Sequence, residues 1–366
     1  MAIRPRRALL IAVTLLLSGR ADAAARLTGD LPRRDARPLE RIAGLDSLYG
    51  VLATPDGLRL RTIVTRPEGL AERRPGILFI PWLSCDTIEL PESARGGWAG
   101  MMRSVAQRSG MVLWRTEKAG VGDSEGDCAK LDYDTELLHH RAALEAFKAS
   151  PWVDPQRIVV FGASMGANMA PLVARGHRVA GVMTWGGGAR TWFERQLGFS
   201  RHALELAGDD LGGISARMRR QARFYAEYLL EGKTPAQIRA QDPELGTVWG
   251  EIVGTEGDLQ YGRAPAFHQQ AQRQDWSAAW ADVDAPVLVL YGEYDWFEDV
   301  EAARTVVRIV NGRRAGRASL EVIPRMDHHF SRFASREAAF REAGGVVSDA
   351  LAVAPMLAWL RQLPSI

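Results

Sequence analysis

The sequence predicts an α/β protein built on a mostly parallel central sheet, and three observations predict it. Short apolar, largely β-branched runs recur at residues 76–81, 111–114, 158–161, 179–185, 286–292 and 320–324, and read as strands buried on both faces. One of them, in RIVVFGASMGANMAPLVAR at 157–175, passes through a turn of small residues straight into a helical pattern. A chain of 366 residues, 46% of them hydrophobic, is long enough to bury a large core, either as one domain or as a core with an insertion.

The first residues read as an export signal rather than as fold. Residues 1–7 are basic, 8–17 form an apolar run too short to span a bilayer, and Ala21-Asp22-Ala23 supplies small residues where a signal peptidase cleaves. Cleavage after Ala23 removes four arginines and Asp22, taking the formal charge from +2 to about −1 and leaving no stable membrane span. No cluster of Lys and Arg with interleaved aromatics appears inside the chain, which argues against a nucleic-acid partner.

Residues 24–44 are expected to form an N-terminal arm, Arg-, Asp- and Pro-rich as far as Glu40, lying extended on the surface. From Tyr49, YGVLATPDGLRLRTIVTRPEG reads as a hairpin turning at Pro55-Asp56-Gly57. The strand at 76–81 leads into Trp82-Leu83-Ser84-Cys85-Asp86, and that at 111–114 into RTEKAGVGDSEG, which lacks the Lys-Ser/Thr and the following helix of a nucleotide loop. YDTELLHHRAALEAFKA at 133–149 is an amphipathic helix with Asp132 or Asp134 as its cap. Its His139 and His140 lack the partners of an H-E-x-x-H metal site and read as helix-face residues. Residues 191–281 break the strand-and-helix rhythm with helix formers and aromatics, including Trp192, Phe193, Tyr225, Tyr228, Trp249 and Tyr261. A closing helix is expected over 346–363, with Pro355 as a point of kinking.

The chemistry centres on Gly162-Ala163-Ser164-Met165-Gly166. Small residues on either side of Ser164 let strand and helix backbones approach while the serine takes a strained conformation that exposes its hydroxyl. The helix N-terminus aims the Met165 N–H at a negative oxygen developing beside Ser164. With this strand–G-x-S-x-G–helix arrangement the sequence resembles the α/β-hydrolase superfamily over about residues 45–363.

The resemblance implies a core at 45–190 and 282–366, with 191–281 as a helical cap inserted after the sixth strand. It implies Asp295, three residues past the strand-ending Gly292, as the acid, with Glu293, Glu298 and Asp299 as competitors. His328 in Asp327-His328-His329-Phe330 is implied as the base, His329 being the alternative. Many relatives carry His-Gly where this chain has Pro81-Trp82; the chemistry there needs only a backbone N–H, assigned to Leu83, which otherwise lines the pocket. In the superfamily's strand order Cys85 and Cys128 follow neighbouring strands, so in an exported protein they are expected to pair, against two buried thiols or a metal or redox role.

The implied activity is that of a secreted or periplasmic serine hydrolase needing no metal or organic cofactor. A carboxylic ester with an apolar acyl group is the leading substrate, the aromatics of 191–281 lining its pocket or merely packing those helices together. The alternative is an aminopeptidase-like serine peptidase acting on short peptides, with Glu227, Glu231 or Glu251 holding the substrate ammonium. Thioester, lactone or haloalkane chemistry is a further option, although a haloalkane enzyme would normally present Asp, not Ser164, as nucleophile.

Overall fold

The computed structural model describes residues 27–34, 36–94, 96–253 and 257–364. The expected signal sequence lies outside them.

In chain order, strands β1 (Leu27–Thr28), β2 (Leu45–Ala53), β3 (Arg59–Pro67) and β4 (Arg74–Ile80) precede helix α1 (Gly97–Ser109). There follow β5 (Val112–Thr116), α2 (Tyr133–Ala149), β6 (Val153–Ala163), α3 (Met165–Ala174) and β7 (Gly181–Trp185). Six helices then come without a strand: α4 (Trp192–Ala207), α5 (Leu211–Tyr225) running into a π-helical turn at Ala226–Leu230, α6 (Pro235–Gln241), α7 (Pro243–Val253), α8 (Pro265–Gln272) and α9 (Trp276–Ala281). The chain ends with β8 (Val287–Gly292), α10 (Val300–Arg313), β9 (Ala318–Ile323), β10 (Ser331–Arg332), α11 (Arg336–Phe340), β11 (Val346–Val347) and α12 (Ala350–Gln362).

One sheet runs in the order β1-β2-β3-β5-β4-β6-β7-β8-β9. Its first three pairings are antiparallel and all those from β5 to β9 are parallel. The parallel strands are apolar throughout because helices cover both faces. Alternation then sorts their side chains: Ile77, Phe79, Val159 and Phe161 join the core under α1 and α12, whereas Leu78, Ile80, Ile158 and Val160 join the core under α2, α3 and α10. The helical insertion follows β7, the sixth strand when the two-residue β1 is set aside.

The described residues of the arm are tied to the core at two points, and one expectation about the end of the chain needs correcting. β1 pairs with β2, and Glu40 is buried against Arg115, its Oε2 accepting from Arg115 Nη1 at 3.0 Å and from the Leu90 N–H at 2.8 Å. Burial opposes ionisation of Glu40, but the Arg115 charge and its hydrogen bonds outweigh this and hold the carboxyl below its usual range. The closing helix starts at Ala350, not at 346, because Val346 and Val347 pair with Arg332 and Ser331. Pro355 sits inside it.

Candidate active site

Ser164 occupies the one-residue turn between β6 and α3 with φ 55° and ψ −119°. A non-glycine residue there carries strain of about 1–3 kcal/mol, retained only where surroundings enforce it. They do: the Ser164 N–H donates to Trp185 O at 2.7 Å, and Ser164 O accepts from the Ala167 N–H at 2.9 Å. A Cβ on Gly162 would collide with the Gly166 carbonyl, and one on Gly166 with the Ile80 carbonyl, so both glycines are required by packing. Met165 is the first residue of α3, and its N–H has no acceptor within the helix.

Asp295 lies in the turn after β8. Its Oδ1 accepts from the N–H groups of Phe297 at 2.9 Å and Glu298 at 3.2 Å, and Tyr291 OH donates to the Asp295 carbonyl at 2.9 Å. Its Oδ2 is 2.6 Å from His328 Nδ1, which fixes the ring with Nδ1 toward the acid and frees Nε2. The loop carrying His328 is held from both sides. Trp185 Nε1 donates to the His328 carbonyl at 2.9 Å, Phe330 stacks on Trp185 at 4.2 Å between ring centroids, and Asp327 Oδ1 accepts from the N–H groups of His329 and Ser331. Gly186 leaves room for the ring, because a Cβ there would strike His328. His329 turns away with its side chain 62% exposed.

Burial works to lower the His328 pKa, but the Asp295 charge and hydrogen bond prevail and raise it above the ordinary value. Partial desolvation and the neighbouring His328 charge lower the His329 pKa. The competing acids have other work: Glu293 accepts from the Arg325 N–H at 2.7 Å, and Asp299 caps α10. Glu298 is buried, which pushes its carboxyl up to about 7.

The loop after β4 rests on two buried cations from distant segments. Lys118 donates to the Trp82 carbonyl and, at 3.0 Å, to the Ser84 carbonyl; Arg263 Nη1 donates to the Leu83 carbonyl at 2.9 Å. Glu136 of α2 pairs with both cations. Burial lowers the Lys118 pKa to about 8, whereas in Glu136 the two cations overcome burial and lower the carboxyl's pKa. Because a trans peptide points its C=O and N–H in opposite directions, fixing the Trp82 carbonyl on Lys118 also fixes the direction of the Leu83 N–H. Cys85 and Cys128 are joined by a disulfide, which ties the same loop to the one after β5.

Ser164, His328, His329 and Leu83 line one cavity of ≈ 420 Å³. Phe79, Trp82, Trp98 and Met101 form one wall of it, and the helical insertion contributes Arg195 and Tyr261 to the lining. Of the insertion aromatics, then, Tyr261 faces the cavity while Trp192, Tyr225, Tyr228, Trp249 and His268 pack within the insertion, because helices that cannot reach the sheet must bury each other's large side chains. Glu227 and Glu231 pair with Lys233 and Glu251 pairs with Arg220, and none of the three lines the cavity. Sequence reasoning missed Lys118, Glu136, Arg263 and Arg195; the only hint was a lysine immediately before the glycine loop at 119–126. Among the described residues no group of three or more His, Cys, Asp or Glu side chains is placed to hold a metal.

No protein-family model matches the chain, and no curated protein does. Solved structures do. An esterase from Pyrococcus furiosus superposes with a TM-score of 0.51 at 12% identity, over 92% of this chain and 98% of that one. The α/β hydrolase GrgF from Penicillium sp. sh18 gives 0.52 at 16% identity, over 88% and 99%. DcsB, in complex with its substrate analogue, gives 0.53 at 15% identity, over 87% and 99%. At such identities the likeness is one of fold.

Proposed function

The chain has the α/β-hydrolase fold, and from that premise we propose that it is a serine hydrolase acting on carboxylic esters through an acyl-enzyme. The observation that carries the reading is the strained Ser164 sharing a cavity with His328, whose far nitrogen is hydrogen-bonded to Asp295. His328 Nε2 takes the Ser164 proton as Oγ attacks the ester carbonyl, and Asp295 stabilises the resulting imidazolium. The N–H groups of Met165 and Leu83 hold the oxyanion, a contribution of about 3 kcal/mol per donor in comparable sites. His328 returns the proton to the departing alcohol, then activates the water that releases the acid. Residues 191–281 act as the cap over this cavity, and its aromatic wall suits an apolar part of a small to medium ester.

The peptidase alternative draws no support from Glu227, Glu231 or Glu251, whose charges are paired at the surface of the insertion. Export to the periplasm or beyond is part of the proposal. The disulfide supports it, since cytosolic thiols are kept reduced, and no helix among the described residues is long and apolar enough to cross a membrane. A panel of p-nitrophenyl esters assayed beside aminoacyl p-nitroanilides tests the reading. Ester turnover that disappears in Ser164→Ala is expected; preference for the anilides, or turnover surviving the substitution, contradicts it.

A further inference from the structure

The cavity has two chemically different walls. One is aromatic and aliphatic, from Phe79, Trp82, Trp98 and Met101; the other, from the insertion, presents Arg195 of α4 and Tyr261. Arg195 is the one permanently charged cation among the described residues that line the cavity, and its side chain is only 12% exposed. The guanidinium carbon lies 4.9 Å from the Trp192 ring centroid and 5.4 Å from that of Phe199, so its plane is set before any ligand arrives.

Its own partners leave it donors to spare. Nη1 reaches Gln196 Oε1 at 3.3 Å, and Tyr261 is a second hydrogen-bond partner. The nearest carboxylate, Glu298 Oε2, is 3.8 Å from Nε, outside hydrogen-bond range. A guanidinium has five N–H groups, and these contacts do not exhaust them. Glu298, pushed up by burial to about 7, is partly protonated at neutral pH and does not cancel the cation in full. Asp86, the one acid among the described residues of the lining, is exposed and hydrogen-bonded to Ser84. The two histidines of the lining, His328 and His329, belong to the loop after β9.

Tyr261 is a separate observation. It holds φ 53°, a left-handed conformation uncommon for a tyrosine, in a turn closed by reciprocal Gln260–Arg263 backbone hydrogen bonds of 3.0 Å. Arg263 roots that turn in the buried Glu136 cluster. The strain is therefore enforced, and the residue it displays lines the cavity beside Arg195, the setting in which enforced strain accompanies function.

We propose that the substrate is an ester carrying a carboxylate, which Arg195 and Tyr261 bind while the aromatic wall takes the apolar remainder. The inference rests on the ester-hydrolase reading above. A planar carboxylate matches the fork of a single guanidinium, with the phenol able to donate to the same group.

The test uses two matched pairs. Monomethyl adipate against methyl hexanoate puts the carboxylate on the acyl side, and 4-butyryloxybenzoate against phenyl butyrate puts it on the alcohol side. In at least one pair the ratio of kcat/KM, charged over neutral, is expected to fall about 30-fold in Arg195→Met, the size of one desolvated charge-assisted pair. Arg195→Lys should restore part of it, and added salt should shrink it in the wild type. Calorimetry of the same compounds on Ser164→Ala protein gives a readout that needs no turnover. Arg195-dependent preference for the acid in binding, without turnover by wild type, upholds Arg195 and Tyr261 as a carboxylate site but sinks the hydrolase reading and, with it, the assignment of the bound ester as substrate. Turnover of both members with a ratio that Arg195→Met leaves unmoved in both pairs overturns the inference and spares the reading.

Discussion

Replacing Lys118, which does not itself line the cavity, with Met should impair catalysis. In the structure the Lys118 ammonium donates to the Trp82 and Ser84 carbonyls and pairs with Glu136, while Arg263 holds the Leu83 carbonyl between them. Methionine matches the stem but donates nothing, so two partly buried carbonyls lose a donor and Glu136 keeps only Arg263 as a full cation. Breaking one partner from a buried ion cluster costs roughly 3–5 kcal/mol and each orphaned carbonyl up to about 1–3 kcal/mol more where water does not reach it, so an unfolding free energy lower by at least about 3 kcal/mol is expected. The Trp82–Leu83 peptide is then free to rotate, and the Leu83 N–H loses its aim.

Complete loss of an oxyanion donor costs about 100–1000-fold in kcat. Because the Cys85–Cys128 bond and Arg263 still restrain the loop, the expected loss is about 10–100-fold in kcat, with KM changing less than about threefold. Steady-state kinetics on one ester, with melting curves and the affinity of a trifluoromethyl ketone analogue of the tetrahedral intermediate, separate the two effects. Lys118→Gln, which keeps a donor, should lie between wild type and the Met variant and guards against misfolding of the latter. Unchanged kcat in a folded Lys118→Met protein, or a loss carried wholly by KM, refutes the reasoning.

The remaining predictions concern the histidine, its acid and the disulfide. His328→Ala should lower kcat at least about 1000-fold and His329→Ala less than about tenfold, since only His328 meets Asp295; rates of the two purified variants on one ester check this, and the reverse order would reassign the base. The base must be unprotonated to act and its folded pKa is raised, so the acid limb of kcat/KM should have its midpoint above 6.5 and move to lower pH in Asp295→Asn. The same raised pKa makes the His328–Asp295 contribution to stability full below about pH 6.5 and lost as pH rises through the folded value, which denaturant melts across that window should register. Cys85→Ser should lower the unfolding free energy by roughly 2–4 kcal/mol, given the 43-residue separation the bond closes; non-reduced peptide mapping of exported protein should show the Cys85–Cys128 cross-link, and two free thiols there would contradict it.

Local signals carried most of what the sequence revealed. The Ser164 turn is legible because strand, glycines and helix adjoin in the chain, and the close approach of Gly162 to Gly166 leaves no alternative residue. Asp295 and His328 are legible as positions following strands, although their 2.6 Å contact is made by loops 33 residues apart. What the sequence hid was whatever the fold assembles from distant charges. Lys118, Glu136 and Arg263 each look like ordinary surface residues until burial forces them into one cluster, and Arg115 and Glu40 pair across 75 residues. The facing of the insertion aromatics was hidden for a related reason: composition says that large side chains must be buried, but not whether a cavity or a neighbouring helix receives them. Val346 and Val347 show the limit at element ends, since an apolar pair reads equally as helix or strand until a partner at 331–332 is in place.

The central claim is that Ser164 is the nucleophile of this cavity. Incubation with a fluorophosphonate and peptide mass spectrometry measures it directly. A single adduct is expected on the peptide containing Ser164, formed in step with loss of ester turnover, absent in Ser164→Ala and greatly slowed in His328→Ala. An adduct on another residue, or full inactivation with Ser164 unmodified, would contradict the account.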